Sequence, residues 1–125
     1  MKRPILNKDR FNQKLLFEGL ERDRISFTDI DFIQEIKGEL LIVGDVKVEG
    51  QKLPTGQRLL IERLCNKDWK SSFGVVVEHN LPPNQDILLK DTIVRKVYHK
   101  KKWTTLLNKN ITFQQLEEQI KKNYA

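Results

Sequence analysis

The 125-residue sequence has a single cysteine, Cys65, so no disulfide can close within the chain and stability has to come from packing. No apolar run approaches the ~18 residues that a membrane-spanning helix needs. The basic opening, Met1-Lys2-Arg3-Pro4, has no apolar segment behind it and reads as no signal peptide. With the lone cysteine, this makes a cytoplasmic protein the expectation. Also missing are a Walker loop, a dinucleotide glycine fingerprint and a Gly-x-Ser-x-Gly elbow, so nothing implies an organic cofactor. Cys65, His79 and His99 lack zinc-ligand spacing. No repeat, low-complexity tract or Pro/Gly-rich linker divides the chain, which is expected to form one domain over 1–125.

What is present is 38% hydrophobic and 32% charged residues, a balance that suits a folded domain with one core and excludes wholesale disorder. The formal charge of +6 points toward polyanionic partners. Lys90, Arg95, Lys96, Lys100, Lys101 and Lys102 fall in one short stretch. They form either a solvated basic strand and turn or a phosphate-contacting surface.

Phe11, Leu15, Leu16 and Leu20 recur at helical spacing and predict a helix over 8–22, with Asn7 able to cap it. Two strand-like runs follow, Ile25 to Ile36 and Glu39 to Val48, and the brief Lys37-Gly38 connection makes them an antiparallel hairpin. A loop leads to a second helix around Thr55 to Asn66, whose wide apolar face of Leu59, Leu60, Ile61, Leu64 and Cys65 predicts deep burial. Phe73 to Glu78 reads as a central strand and Thr92 to Tyr98 as another, with Leu81-Pro82-Pro83-Asn84 breaking the chain between them. In the last helix Thr112 and Gln115 make a capping-box pattern, and Phe113, Leu116, Ile120 and Tyr124 line one face. The expected fold is α/β, a central mixed sheet flanked by helices.

The chemistry lies where charge interrupts apolar strand sequence. In Leu40-Leu41-Ile42-Val43-Gly44-Asp45-Val46-Lys47-Val48, an acid and a base sit in an otherwise core-like strand. Ionised groups there are costly unless paired, hydrated or bound to metal. Strand alternation puts Asp45 and Lys47 on one face, roughly 6.5–7 Å apart along the backbone. Asp29 and Asp31 share a face on the preceding run, and a turn at Lys37-Gly38 brings Asp31 toward the same strand end as Asp45. Two carboxylates from neighbouring strands suit a hard cation such as Mg²⁺. The alternative is an exposed Asp45–Lys47 pair on an edge strand, with Asp31 an ordinary acid near a turn.

Asp31, followed after a hairpin by Asp45-Val46-Lys47, resembles the D…(D/E)xK signature of the PD-(D/E)XK nuclease superfamily. Residues 25–32, then Gly44-Asp45-Val46-Lys47 and Gly56-Gln57-Arg58-Leu59, look like a phage and bacterial branch of it. The resemblance covers roughly 15–78, including the helix, β-hairpin, helix, strand order of a restriction-endonuclease-like core. Ile30 stands where proline is common, and Asp45 where glutamate is commoner. The resemblance implies that Asp31, Asp45 and the Val46 carbonyl ligate Mg²⁺, with Mn²⁺ as a substitute, while Lys47 orients water and stabilises phosphate charge. Gln57 then supports the lysine or substrate, or else simply faces solvent. Glu18 returns to the inward side of the first helix and matches a glutamate that relatives bring to the metal; Glu21 is the alternative.

His79 is expected to be a hydrogen-bonded structural or loop residue, and His99 a solvated one. Trp69, Tyr98 and Trp103 can stack on bases, although packing is the default for each. The expected function is a metal-dependent endonuclease cutting DNA, selective for junction or branched structures by analogy with Holliday-junction resolvases and acting as a homodimer. The alternative is a catalytically inactive nuclease-fold protein that binds nucleic acid or inhibits a host nucleoprotein complex.

Overall fold

The structure, a computed structural model, describes residues 30–106 and 109–124. The expected first helix with Glu18 and Glu21, the start of the first strand and Asp29 lie outside the described residues. Five strands form one mixed sheet: β1 (Phe32–Ile36), β2 (Leu40–Val48), β3 (Ser71–His79), β4 (Ile93–His99) and β5 (Lys102–Thr105), in spatial order 1-2-3-4-5. β1 and β2 make the expected antiparallel hairpin. β3 runs parallel to β2, and such a pairing requires a crossover, which α1 (Thr55–Cys65) supplies. β4 and β5 then extend the sheet in antiparallel fashion, and α2 (Phe113–Tyr124) follows.

Alternation along the strands builds two apolar layers. Leu40, Ile42, Val75, Val77 and Val94 pack with Phe113 and Ile120 of α2. Leu41, Val43 and Tyr98 pack on the other face with Ile61 and Cys65 of α1. Fewer α1 residues are fully covered than the sequence predicts, because only Ile61 and Cys65 meet the sheet squarely. The capping box at α2 forms as expected, with Thr112 Oγ1 accepting from the Gln115 N–H and Gln115 Oε1 accepting from the Thr112 N–H.

Three expectations need correction. The first strand run does not extend through Asp31: β1 starts at Phe32, and Asp31 occupies a bend just before it. The lysine-rich segment yields an unforeseen fifth strand, because Lys100 and Lys101 turn the chain back on itself with φ of 51° and 64°. His99 is half-buried rather than solvated, stacking on Phe73 and bonding through Nδ1 to the Ser72 carbonyl. Trp69 and Trp103 follow the packing default, each donating its indole N–H inward, to the Leu64 carbonyl and to Glu62 Oε2. His79 Nδ1 accepts from the Leu81 N–H, the hydrogen-bonded role expected for it.

Gly44 is required by contact. A Cβ there would lie 2.2 Å from the ring of Phe32 and 2.5 Å from the Val75 carbonyl. The same Phe32 ring meets Phe113 edge-on at 5.2 Å, so Gly44 lets that ring lie across the sheet face and pin β1 to α2. Gly44→Ala is therefore expected to lower unfolding free energy by about 3 kcal/mol in urea denaturation. Gly56→Ala, in the first turn of α1 with open space at its Cβ, is expected to leave stability unchanged or raise it by up to ~1 kcal/mol.

Candidate metal centre

The β1–β2 register pairs Phe32 with Gly44, and one step further places Asp31 opposite Asp45. β2 is an interior strand, paired on both sides, so the edge-strand alternative for Asp45 and Lys47 does not hold. Asp45 is 0% exposed, whereas Asp31 lies at the surface. Asp31 is anchored by Oδ2, which accepts the Val46 N–H at 2.7 Å. In an extended strand a residue's N–H and C=O point to the same neighbour, so the Val46 carbonyl projects toward the Asp31 side.

Lys47 shares the Asp45 face and brings Nζ to 2.6 Å from Asp45 Oδ2. The same ammonium donates to Gln57 Oε1 at 2.9 Å. Gln57 sits in the first turn of α1, which has no acidic residue and no side-chain cap, leaving that helix end electropositive. Asp31, Asp45, Lys47 and Gln57, singled out from the sequence, are thus brought together. Glu18 lies outside the described residues. Among the described residues no three His, Cys, Asp or Glu side chains converge as a ready-made metal cage.

Burial, followed by the hydrogen bond to Asp31, pushes the Asp45 carboxyl up to about 6. Asp31 moves the opposite way, held below the ordinary carboxylate range chiefly by its hydrogen bond with Asp45. The proton belongs on Asp45 and is donated to Asp31. The Lys47 ammonium, 2.6 Å from Oδ2, favours the ionised form of Asp45 against burial and Asp31, while Oδ1 has no hydrogen-bond partner. Two hard carboxylates thus face each other, and the buried one is answered only in part, by Lys47. Either a proton or a small cation between them satisfies that arrangement, so the donor set fits Mg²⁺ or Mn²⁺.

Sequence reasoning missed a neighbouring pair. Glu78, in register beside Lys47, accepts from Arg95 Nε at 2.6 Å and from the Gly50 N–H at 3.3 Å. Arg95 reaches it because β4 bulges there: Lys96 pairs with Val76 and Val94 with Val77, leaving Arg95 as the extra residue. The signal available in sequence was Glu78 ending a Val-rich strand, but only the bulge sets Arg95 beside it.

Comparison with known protein families, curated proteins and solved structures gives no match for this chain. The arrangement therefore has to be judged on its own chemistry.

The raised Asp45 group has a definite sign. The folded protein holds this proton up to about pH 6, whereas an unfolded aspartate releases it near pH 4, so the contribution is present below ~4 and lost as pH rises through 6. Without added metal, Asp45→Asn is expected to stabilise the fold at pH 8 by roughly 3 kcal/mol. The gain should shrink toward zero at pH 4.5, as read from thermal melts in EDTA. Equal melting temperatures at pH 8 would show that Asp45 carries no buried charge there.

Proposed function

We propose that this protein is a divalent-metal-dependent endonuclease that hydrolyses phosphodiester bonds in DNA, with a restriction-endonuclease-like core. The observation that carries the reading is the meeting of Asp31 with a buried Asp45, whose Oδ1 has no hydrogen-bond partner, beside a lysine held by Gln57. Asp31, Asp45 and the Val46 carbonyl are the groups that would hold Mg²⁺ or Mn²⁺. A cation held there would supply Lewis acidity toward a phosphate oxygen and lower the pKa of a bound water molecule.

The chain's own residues account for the rest. Lys47 stands between the acid pair and α1, where its ammonium can meet a non-bridging phosphate oxygen and hold the attacking water. Gln57 restrains that ammonium from the opposite side, so it does not collapse wholly onto Asp45. The uncapped first turn of α1 adds favourable potential for an anion. Lys96, exposed and paired in register with Val76 on the Asp45 side of the sheet, would offer a cation to a flanking phosphate. Selectivity for junction or branched DNA and a homodimeric assembly complete the reading by resemblance. Dimerisation would enlarge the DNA-contacting surface that one small chain offers.

The test incubates purified protein with linear, nicked and four-way-junction DNA in Mg²⁺, Mn²⁺ or EDTA. Cleavage is expected only with metal and is abolished in Asp45→Ala. Lys47→Met is expected to slow cleavage about 10²–10³-fold while retaining Mn²⁺ binding by calorimetry. Gln57→Ala should lower kcat with a smaller effect on metal affinity. DNA binding without cleavage in every metal condition would overturn the hydrolase reading in favour of a non-catalytic nuclease-fold binder.

A further inference from the structure

The end of the sheet away from the carboxyl pair holds a feature that the hydrolase chemistry does not use. The start of β3, the end of α1, the β4–β5 turn and α2 border an open cavity of about 750 Å³, within the ~300–1,000 Å³ typical of small-molecule sites. It lies four to five residues down β3 from Val76, the partner of Asp45, or roughly 15 Å along the strand. One phosphate cannot touch both places.

The lining has a definite chemistry. Lys67, Lys70, Lys100 and Lys101 contribute to it and all four are exposed, while none of its lining residues among the described residues is acidic. Lys70 also approaches Glu39 at 3.9 Å. The less exposed lining carries aromatic rings on both faces of the sheet end: Trp69 and Tyr98 on the α1 side beside Cys65, and the Phe73–His99 stack, 4.1 Å apart and 7° from parallel, on the α2 side beside Leu116 and Ile120. Cations beside aromatic rings suit a ligand that joins a phosphate to a planar ring.

The turn supplies a second, independent observation. Lys100 and Lys101 both adopt positive φ in a two-residue hairpin loop, a conformation that favours Asn-Gly and disfavours side chains such as lysine. Local structure thus opposes the residues that bring charge to the cavity. Such a conflict marks a position whose side chains serve something other than the fold.

We propose that this cavity binds a nucleotide unit, with its phosphate among Lys67, Lys100 and Lys101 and its base against Trp69 and Tyr98 on the α1 side of the sheet end. The unit is either a free nucleotide or the 5′-phosphorylated end of a DNA strand. The site stands apart from the metal centre, and its binding needs neither metal nor cleavage, so its failure and that of the hydrolase reading are distinguishable.

Tryptophan fluorescence in EDTA at low salt reads binding of inorganic phosphate, dAMP, and a six-nucleotide dA oligomer with a 5′-phosphate or a 5′-hydroxyl. The native protein is expected to bind dAMP at least tenfold tighter than inorganic phosphate. A Lys100→Asn/Lys101→Gly double variant should weaken dAMP binding at least tenfold while melting at the same or a higher temperature, because its turn is relieved. Tighter binding of the 5′-phosphorylated oligomer than of dAMP or the 5′-hydroxyl oligomer assigns the site to strand ends. Oligomers no tighter than dAMP assign it to free nucleotides. Unchanged dAMP affinity in the double variant, or dAMP no tighter than phosphate, overturns the proposal.

Discussion

Two carboxyl groups held face to face, one of them sealed inside the sheet, set a condition that the surrounding structure has to meet. Asp45 is fully covered, yet its Oδ1 finds no hydrogen-bond partner. Such a group is tolerated only with a proton, a nearby cation or a coordinated ion. The fold supplies part of the answer through Lys47 and keeps Asp31 in place through the Val46 amide. Removing Lys47 would leave an ionised Asp45 buried without its cation, whereas Asp31 acts the other way and favours a proton on Asp45.

The site is built from ordinary sheet geometry. Antiparallel pairing brings residues 31 and 45 opposite one another, and strand alternation adds Lys47 two residues on. The crossover through α1 then returns the chain beside β2, with Gln57 at its start. The centre thus sits toward the carboxyl ends of the two parallel strands, where open α/β sheets commonly receive ligands. The lysine-lined cavity occupies the other end of β3. The molecule is therefore chemically polarised along its strands, with the acid pair and Lys47 at one end and Lys67, Lys70, Lys100 and Lys101 at the other.

Much of this was visible in the residue order. The alternation around Asp45, the short Lys37-Gly38 connection and the capping box at Thr112 are local signals, and each is realised where it was read. Gln57 beside Lys47 also follows, because a helix start after β2 returns to the end of that strand. What the sequence concealed depends on tertiary context. β5 was hidden because consecutive lysines are poor turn formers, so the reversal at Lys100-Lys101 left no Gly or Asn mark. The Glu78–Arg95 pair required a bulge whose position only strand pairing decides. The full burial of Asp45 was unreadable for the same reason: a charged residue in sequence carries no record of what covers it.

The parallel ladder between β2 and β3 carries a kinetic consequence. A hairpin such as β1–β2 zips locally, but β3 cannot dock on β2 until the intervening segment has closed a long loop. Asp31 and Asp45 can meet early, on the hairpin alone, whereas Gln57 and Glu78 arrive with the crossover. The acid pair thus needs only the hairpin, whereas the restraint on its lysine needs the helix and third strand that follow.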